Sequence, residues 1–194
     1  IVKTFDKSVD PYSKIYLETP MNVKISPVDL TEHPDGDKLL VSLYSRSSEA
    51  SSDFTIKQTA KRVDVVGKKA LPDSDAVCVI KAPVRASFDI IAKGKSNILV
   101  ENMHSDDCHL KTNSGKVIIK NIRGKSIKIR SKEGTVWCAG TILADDVDIR
   151  TDASVTCSHI RSNNLKVVTE GGDISTESCY SDVSHFITML GSLR

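Results

Sequence analysis

What this chain lacks narrows it first. Aromatic residues make up only 5% of its 194 positions, so a core must be built from Val, Ile and Leu, the side chains that suit pleated, half-buried surfaces. No apolar run approaches the roughly 18 residues that a membrane-spanning helix needs. The 27 basic and 25 acidic side chains leave a net charge of +2, far from the basic excess of a dedicated nucleic-acid binder. No CxxC pair is present, and the five cysteines (Cys78, Cys108, Cys138, Cys157, Cys179) are an odd number at wide spacings. A secreted disulfide framework has an even count in a shorter chain, so the expectation is reduced thiols and a soluble protein in an intracellular, reducing compartment. The opening Ile1-Val2-Lys3-Thr4-Phe5-Asp6 has neither an initiator Met nor a signal-peptide layout, so a leader or a longer N-terminus is expected to precede it.

What is present reads as all-β. At 39% hydrophobic the chain is apolar enough to fold, and residues 1 to about 80 alternate short apolar runs with turn chemistry. Ile15-Tyr16-Leu17 and Val23-Lys24-Ile25 precede His33-Pro34-Asp35-Gly36-Asp37, and Leu39-Leu40-Val41-Ser42-Leu43 follows. An Asp-Gly step between such runs predicts a hairpin, because Gly tolerates the positive φ of tight turns. Arg46 to Asp53 is a polar loop, Phe54-Thr55-Ile56-Lys57 and Val63-Asp64-Val65 resume the strand pattern, and Leu71-Pro72-Asp73-Ser74-Asp75 interrupts it.

The second half repeats. Leu110, Ile129, Ile149, Val167 and Phe186 are spaced 19, 20, 18 and 19 apart, and a hydroxyl follows each by two residues: Thr112, Ser131, Thr151, Thr169 and Thr188. Next stand Gly115, Gly134, Ser154, Gly172 and Gly191, and then Val117, Val136, Val155, Ile174 and Leu193. Each unit is a strand, a tight turn, a strand and a variable corner such as Asn121-Ile122-Arg123-Gly124. One unit buries too little to stand alone, so the units must stack in parallel about 4.8 Å apart. The prediction is a parallel β-solenoid (β-helix) of five to six coils of 18–20 residues; right-handed winding is the general default for parallel crossovers, and no residue here specifies the hand. Residues 83–194 form it, Phe88 to Val100 being a degraded first coil. Residues 1–82 form an N-terminal β region of hairpins that caps it. The fifth coil stops halfway at Leu193-Arg194, so further chain is expected beyond it.

The coils, with His33-Pro34-Asp35-Gly36-Asp37-Lys38 and Lys81-Ala82-Pro83, resemble an uncharacterised animal group of the "family with sequence similarity" series. Its repeats are similar to a bacterial "putative adhesin" domain of unknown function. The resemblance implies a β-solenoid, no established enzymatic activity, no cofactor, and mitochondrial residence in the animal relatives.

Candidate sites divide the function classes. Cys138 and Cys157 share an inward column with Ile119 and Thr176, as two small buried hydrophobes or as a redox pair. Cys108-His109 and Cys157-Ser158-His159 are too far apart for the convergent ligands of a zinc site, and His33, His104 and His185 stand alone in turns. Asp145, Asp146, Asp148 and Asp152, and separately Asp106 and Asp107, are the carboxylates that could serve acid–base cleavage of a carbohydrate along an outer face. Neither group recurs on neighbouring rungs, and Gly171-Gly172-Asp173 occurs once where calcium-binding repeats need tandem copies. Lys111, Lys128, Arg130, Arg150 and Lys166 outline a basic face, yet without exposed aromatics for stacking, so nucleic acid and anionic lipid are disfavoured. The hydroxyl column beside the turns is expected to satisfy backbone groups. The reading is a non-enzymatic interaction or scaffold domain with another protein as partner and the open solenoid end as a route to oligomers. An enzyme or binding module on carbohydrate or another polymer, and an extracellular adhesin, are the alternatives.

Overall fold

The computed structural model describes residues 3–45, 54–67 and 76–194, so the polar stretch 46–53 and the interruption at 71–75 lie outside the described residues. Among the described residues there are fourteen strands and no helix. The N-terminal half carries β1 (Lys3–Ser8), β2 (Lys14–Thr19), β3 (Asn22–Pro27), β4 (Lys38–Tyr44), β5 (Phe54–Gln58), β6 (Arg62–Gly67) and β7 (Val77–Ala82). The coils follow as β8 (Ser87–Ala92), β9 (Ile98–Glu101), β10 (Asp107–Thr112), β11 (Val117–Ser131), β12 (Val136–Thr151), β13 (Val155–Thr169) and β14 (Ile174–Thr188). The molecule is a parallel β-solenoid of about five coils with N-terminal strands stacked on it.

Each later coil has two long legs and a short side between them. The first leg of β11 (Val117–Lys120) pairs with β9, the last leg (Ser126–Ser131) pairs with β10, and Ile122–Gly124 pair with Ile142–Ala144 of β12. The bend into the short side needs left-handed backbone, which Asn and Gly adopt at least cost. Asn102 (φ 58°), Asn121 (φ 53°) and Gly140 (φ 65°) supply it on three successive rungs. Asn121 Nδ2 donates to Asn102 Oδ1 at 3.1 Å, and its Oδ1 accepts from Thr141 N at 3.2 Å, so the corner is held by its own ladder.

Strand alternation sends apolar columns inward from each side. Cys108, Ile127, Val147 and Leu165 face the bore from the last legs, Ile98, Val117, Val136 and Val155 from the first, and Met103, Ile122, Ile142 and Ile160 from the short side. Each such Val, Ile or Leu contributes roughly 1.5–3 kcal/mol relative to leaving it exposed. Leu110, Ile129, Ile149, Val167 and Phe186 are in register, as are Val117, Val136, Val155, Ile174 and Leu193.

At the turns the peptide planes of adjacent rungs come into direct contact. A Cβ built on Gly134 would lie 1.8 Å from Gly115 O, and one on Gly172 would lie 2.1 Å from the carbonyl carbon of Ala153, so a side chain has no room there. The hydroxyl column closes the same turns. Thr112 Oγ1 donates to Ser96 O (3.0 Å), Thr151 Oγ1 to Gly134 O (2.7 Å), Thr169 Oγ1 to Gly172 O (2.6 Å) and Thr188 Oγ1 to Gly172 O (3.0 Å), while Ser131 Oγ accepts from Gly134 N (2.9 Å).

The expected hairpin at Asp35-Gly36 is not formed. Gly36 does take φ 60°, but β4 pairs antiparallel with β1 and β7, and β7 separates it from β3. Both edges of β3 are occupied by parallel partners, β7 and β9, so the chain leaving β3 must travel to the far side of β7 before it can pair. The hairpin formed in this region is β5–β6, closed by Thr59 N donating to Arg62 O at 2.8 Å. The N-terminal rungs also stack out of chain order: β2 lies between β6 and β8, and β3 between β7 and β9.

Candidate functional site

Three outer surfaces run along the solenoid, and they differ in how far their polar groups are already engaged. On the face formed by the last legs, Lys111, Arg130 and Arg150 occupy one outward column, and Lys128 and Lys166 the next. Asp148 stands between Lys128 and Lys166 in that second column and takes both arginines: Arg130 Nη2 reaches its Oδ2, and Arg150 Nε lies 3.2 Å from its Oδ1. Burial by itself would raise the Asp148 pKa, but the hydrogen bonds from Arg130 and Arg150 outweigh it and hold the carboxyl below its ordinary value. The pairing continues toward the N-terminus through Lys14–Asp89 (3.8 Å), Lys93–Glu18 and Arg62–Asp64 (2.6 Å). The predicted basic face is therefore a ladder of mixed sign.

The carboxylates suggested for acid–base chemistry are dispersed. Asp146 accepts from Asn164 Nδ2 (2.8 Å), Asp148 is held by its arginines, Asp145 opens on the short side, and Asp106 pairs with Lys125 (2.8 Å). Asp107 faces outward on β10, and the Asp152 carbonyl accepts from Gly171 N in a turn. Among the described residues no group of three or more His, Cys, Asp or Glu side chains converges as metal ligands would. Cys108 points into the bore while its neighbour His109 is only half-buried on the outside, where burial first and then the Lys128 charge push its pKa down. His185 lies within β14, not in a turn.

Cys78, Cys108, Cys138 and Cys157 are buried, and Cys179 is half-buried. Cys138 and Cys157 are in register with Ile119 and Thr176, and both are fully buried. A hydrogen bond to Cys157, and then burial, push the Cys138 thiol well above its ordinary pKa, and burial pushes Cys78 and Cys108 to about 12. A thiolate nucleophile is disfavoured at Cys78, Cys108 and Cys138, and an oxidant reaches these buried thiols only through local opening.

The short side carries a surface that the sequence reading treated as a variable corner. Arg123, Leu143, Arg161 and Tyr180 are register partners on successive rungs, and they line one wall of a groove of about 820 Å³. Its floor is a column of small residues, Gly124, Ala144, Ser162 and Ser181, and Asp145 and Asp182 stand on the other side. Small residues there follow from inward crowding: Ala144 and Ser162 are buried, at 5% and 6% exposure. Neither the Arg123 nor the Arg161 side chain has an ion pair or hydrogen bond among the described residues, and Tyr180 is 72% exposed. Ser162 Oγ is shielded from solvent and has no hydrogen-bond partner. Beyond Arg123 the groove is continued by His104, Arg85 and Tyr12, whose hydroxyl accepts from Arg85 Nη1 at 3.1 Å. The signal was available in the sequence: 123, 143, 161 and 180 repeat at 20, 18 and 19, the same period as the core columns.

By its fold this is a repeat protein of the β-solenoid class, with its surface features disposed along the axis. Residues 28–188 match the model of the Toastrack DUF4097 family, and the chain belongs to that family. Solved bacterial structures are similar to it at low identity. One described as a "putative adhesin" from Parabacteroides merdae is 12% identical, with 99% of this chain and 95% of that chain covered and a TM-score of 0.48. Another "putative adhesin", from Bacteroides fragilis, is 14% identical, with 98% and 95% covered and a TM-score of 0.49. A "putative cell adhesion protein" from Clostridium sporogenes is 12% identical, with 98% and 97% covered and a TM-score of 0.45.

Proposed function

We propose that this protein is a non-enzymatic interaction domain, a rigid solenoid that binds an extended partner along its short side. The observation that carries this is the groove beside Arg123 and Arg161, two guanidiniums that the fold leaves uncommitted while those of Arg130 and Arg150 are held by Asp148. Uncommitted guanidiniums over a small-residue floor offer planar, directional hydrogen bonds to something laid across them. The carboxylates support the same reading, because Asp145, Asp146 and Asp148 share one rung but serve three different surroundings.

Proximity labelling in cells with the full-length protein tests it. The Arg123→Glu/Arg161→Glu variant is expected to lose the labelled set, and Lys166→Glu on the charged face is expected to keep it. Retention of the whole set by the groove variant, or shortening of any polysaccharide by the purified protein, would overturn the reading.

A second mode of interaction, self-association through the outer edge of β14, is favoured by the exposure of Val183, Ile187, Leu190 and Leu193 beside that edge, which bonds onward at Ile174 and Thr176 to Ser192 and Arg194. An exposed strand edge is a template for pairing with another chain. Sedimentation of the wild type and of Ile187→Lys measures it: a dimer that the substitution dissociates supports this mode, and a monomer at all concentrations ends it.

A further inference from the structure

We infer that the short-side groove takes an acidic oligosaccharide, a linear chain of pyranose units bearing carboxylates, which rests on the interaction-domain reading and names its ligand class. Four features of the groove point to that chemistry. The first is mixed charge. Arg123 and Arg161 stand on one wall, and Asp145 and Asp182 on the other, so the groove offers cations and carboxylates side by side. A sugar chain needs both donors and acceptors for its hydroxyls, and the two walls provide both.

The second is spacing. Arg123 and Arg161 are separated by one intervening rung, Leu143, which places them about 9–10 Å apart along the axis. That is close to the length of two linked pyranose rings, so each guanidinium can take the carboxylate of an alternate sugar in its bidentate fork. The third is Tyr180, exposed at the end of the same column, whose ring offers an apolar platform to the flat face of a sugar while its hydroxyl stays in water. The fourth is Ser162 on the floor, more than nine-tenths buried, with a hydroxyl that has no partner. A ligand oxygen brought to the floor would give that hydroxyl the partner it lacks.

An acidic peptide fits less well. Extended peptides gain affinity by adding to a strand edge, and here the short-side strands are paired with the rungs above and below, so side chains alone face the groove.

Titration calorimetry on the full chain, with a galacturonic acid hexamer and a hyaluronan octasaccharide as probes and maltohexaose as the neutral control, tests the inference. At least one acidic probe is expected to bind, and maltohexaose to bind at least about tenfold more weakly. Arg123→Ala/Arg161→Ala is expected to weaken the acidic probe at least about tenfold, Tyr180→Ala and Ser162→Ala by a few fold, and Lys166→Ala to leave it unchanged. Thermal melts check that each variant is folded. Failure of both acidic probes, binding indifferent to the arginines, or tighter binding of poly(U) or polyglutamate would overturn it. If the sugars fail while the groove variant still abolishes proximity labelling, the ligand class is wrong and the interaction-domain reading stands; if the protein shortens either probe, that reading falls instead.

Discussion

The coils from β10 to β14 and the rungs of β2, β3, β6 and β7 stack through parallel pairing, yet they differ in how the chain reaches its neighbours. In the first region each strand pairs with the one about 19 residues later, so spatial order follows chain order. In the second, β2 is held between β6 and β8, pairing Ile15 with Val63 and with Phe88. The apolar inward positions of β10 to β13 and those of β2, β3, β6 and β7 are alike buried. Like burial with unequal sequence separation means that the regions differ less in how tightly they are held than in when they form, since closing longer loops is what delays non-local pairing.

The comparison breaks most visibly where peptides touch. Gly134→Val drives a side chain into the Gly115 carbonyl, and a loss on the order of 4 kcal/mol or outright failure to fold is expected by thermal and urea unfolding, since overpacking against backbone has no flexible atom to yield. An unchanged melt would mean that the coils do not stack in this register.

Leu17→Ala and Ile149→Ala make the same deletion in the two regions. Each should cost about 2–5 kcal/mol at equilibrium. Stopped-flow chevrons separate them: Ile149→Ala is expected to slow folding, because its rung closes over short loops, and Leu17→Ala mainly to speed unfolding. The reverse partition would show that the permuted rungs nucleate the fold.

A smaller effect, about 1–3 kcal/mol, is expected for Thr151→Val, which leaves the Gly134 carbonyl without its donor at 2.7 Å; calorimetric melting measures it. The smallest belongs to Asp148→Asn on the partly exposed charged face. The Asp148 carboxyl sits below its ordinary value in the fold, so its contribution is present above the unfolded-state value near 4 and is lost as pH falls through the lower folded value. Urea titrations should show wild type and variant differing by less than about 1 kcal/mol at pH 7 and converging near pH 2.

The repeat columns were legible because stacking identical rungs forces one period on every inward position. Leu110, Ile129, Ile149, Val167 and Phe186 cannot drift without exposing the bore. The groove obeys the same period and was passed over because its residues, Arg123, Leu143, Arg161 and Tyr180, share no chemistry. A column is recognised by likeness, and a binding surface is built from difference. The basic face is legible as a set of residues, and its pairing is not. Arg130 and Arg150 read as free cations until register placed Asp148 beside both.

By itself, then, the sequence determined that strands of alternating Val, Ile and Leu would stack in coils of 18–20 residues with glycine at the closest turns, because those are local demands of pleat, period and space. The Asp35-Gly36 step likewise determined a turn, and Gly36 adopts the positive φ it signals. Which strand that turn would serve was decided only in three dimensions, where β3 had both edges filled and β4 had to pair beyond β7. Tertiary structure also decided which charges would be neutralised. Partners 18–20 residues apart become neighbours about 4.8 Å apart, and that step from chain distance to rung distance engaged Arg130 and left Arg123 and Arg161 facing an open groove.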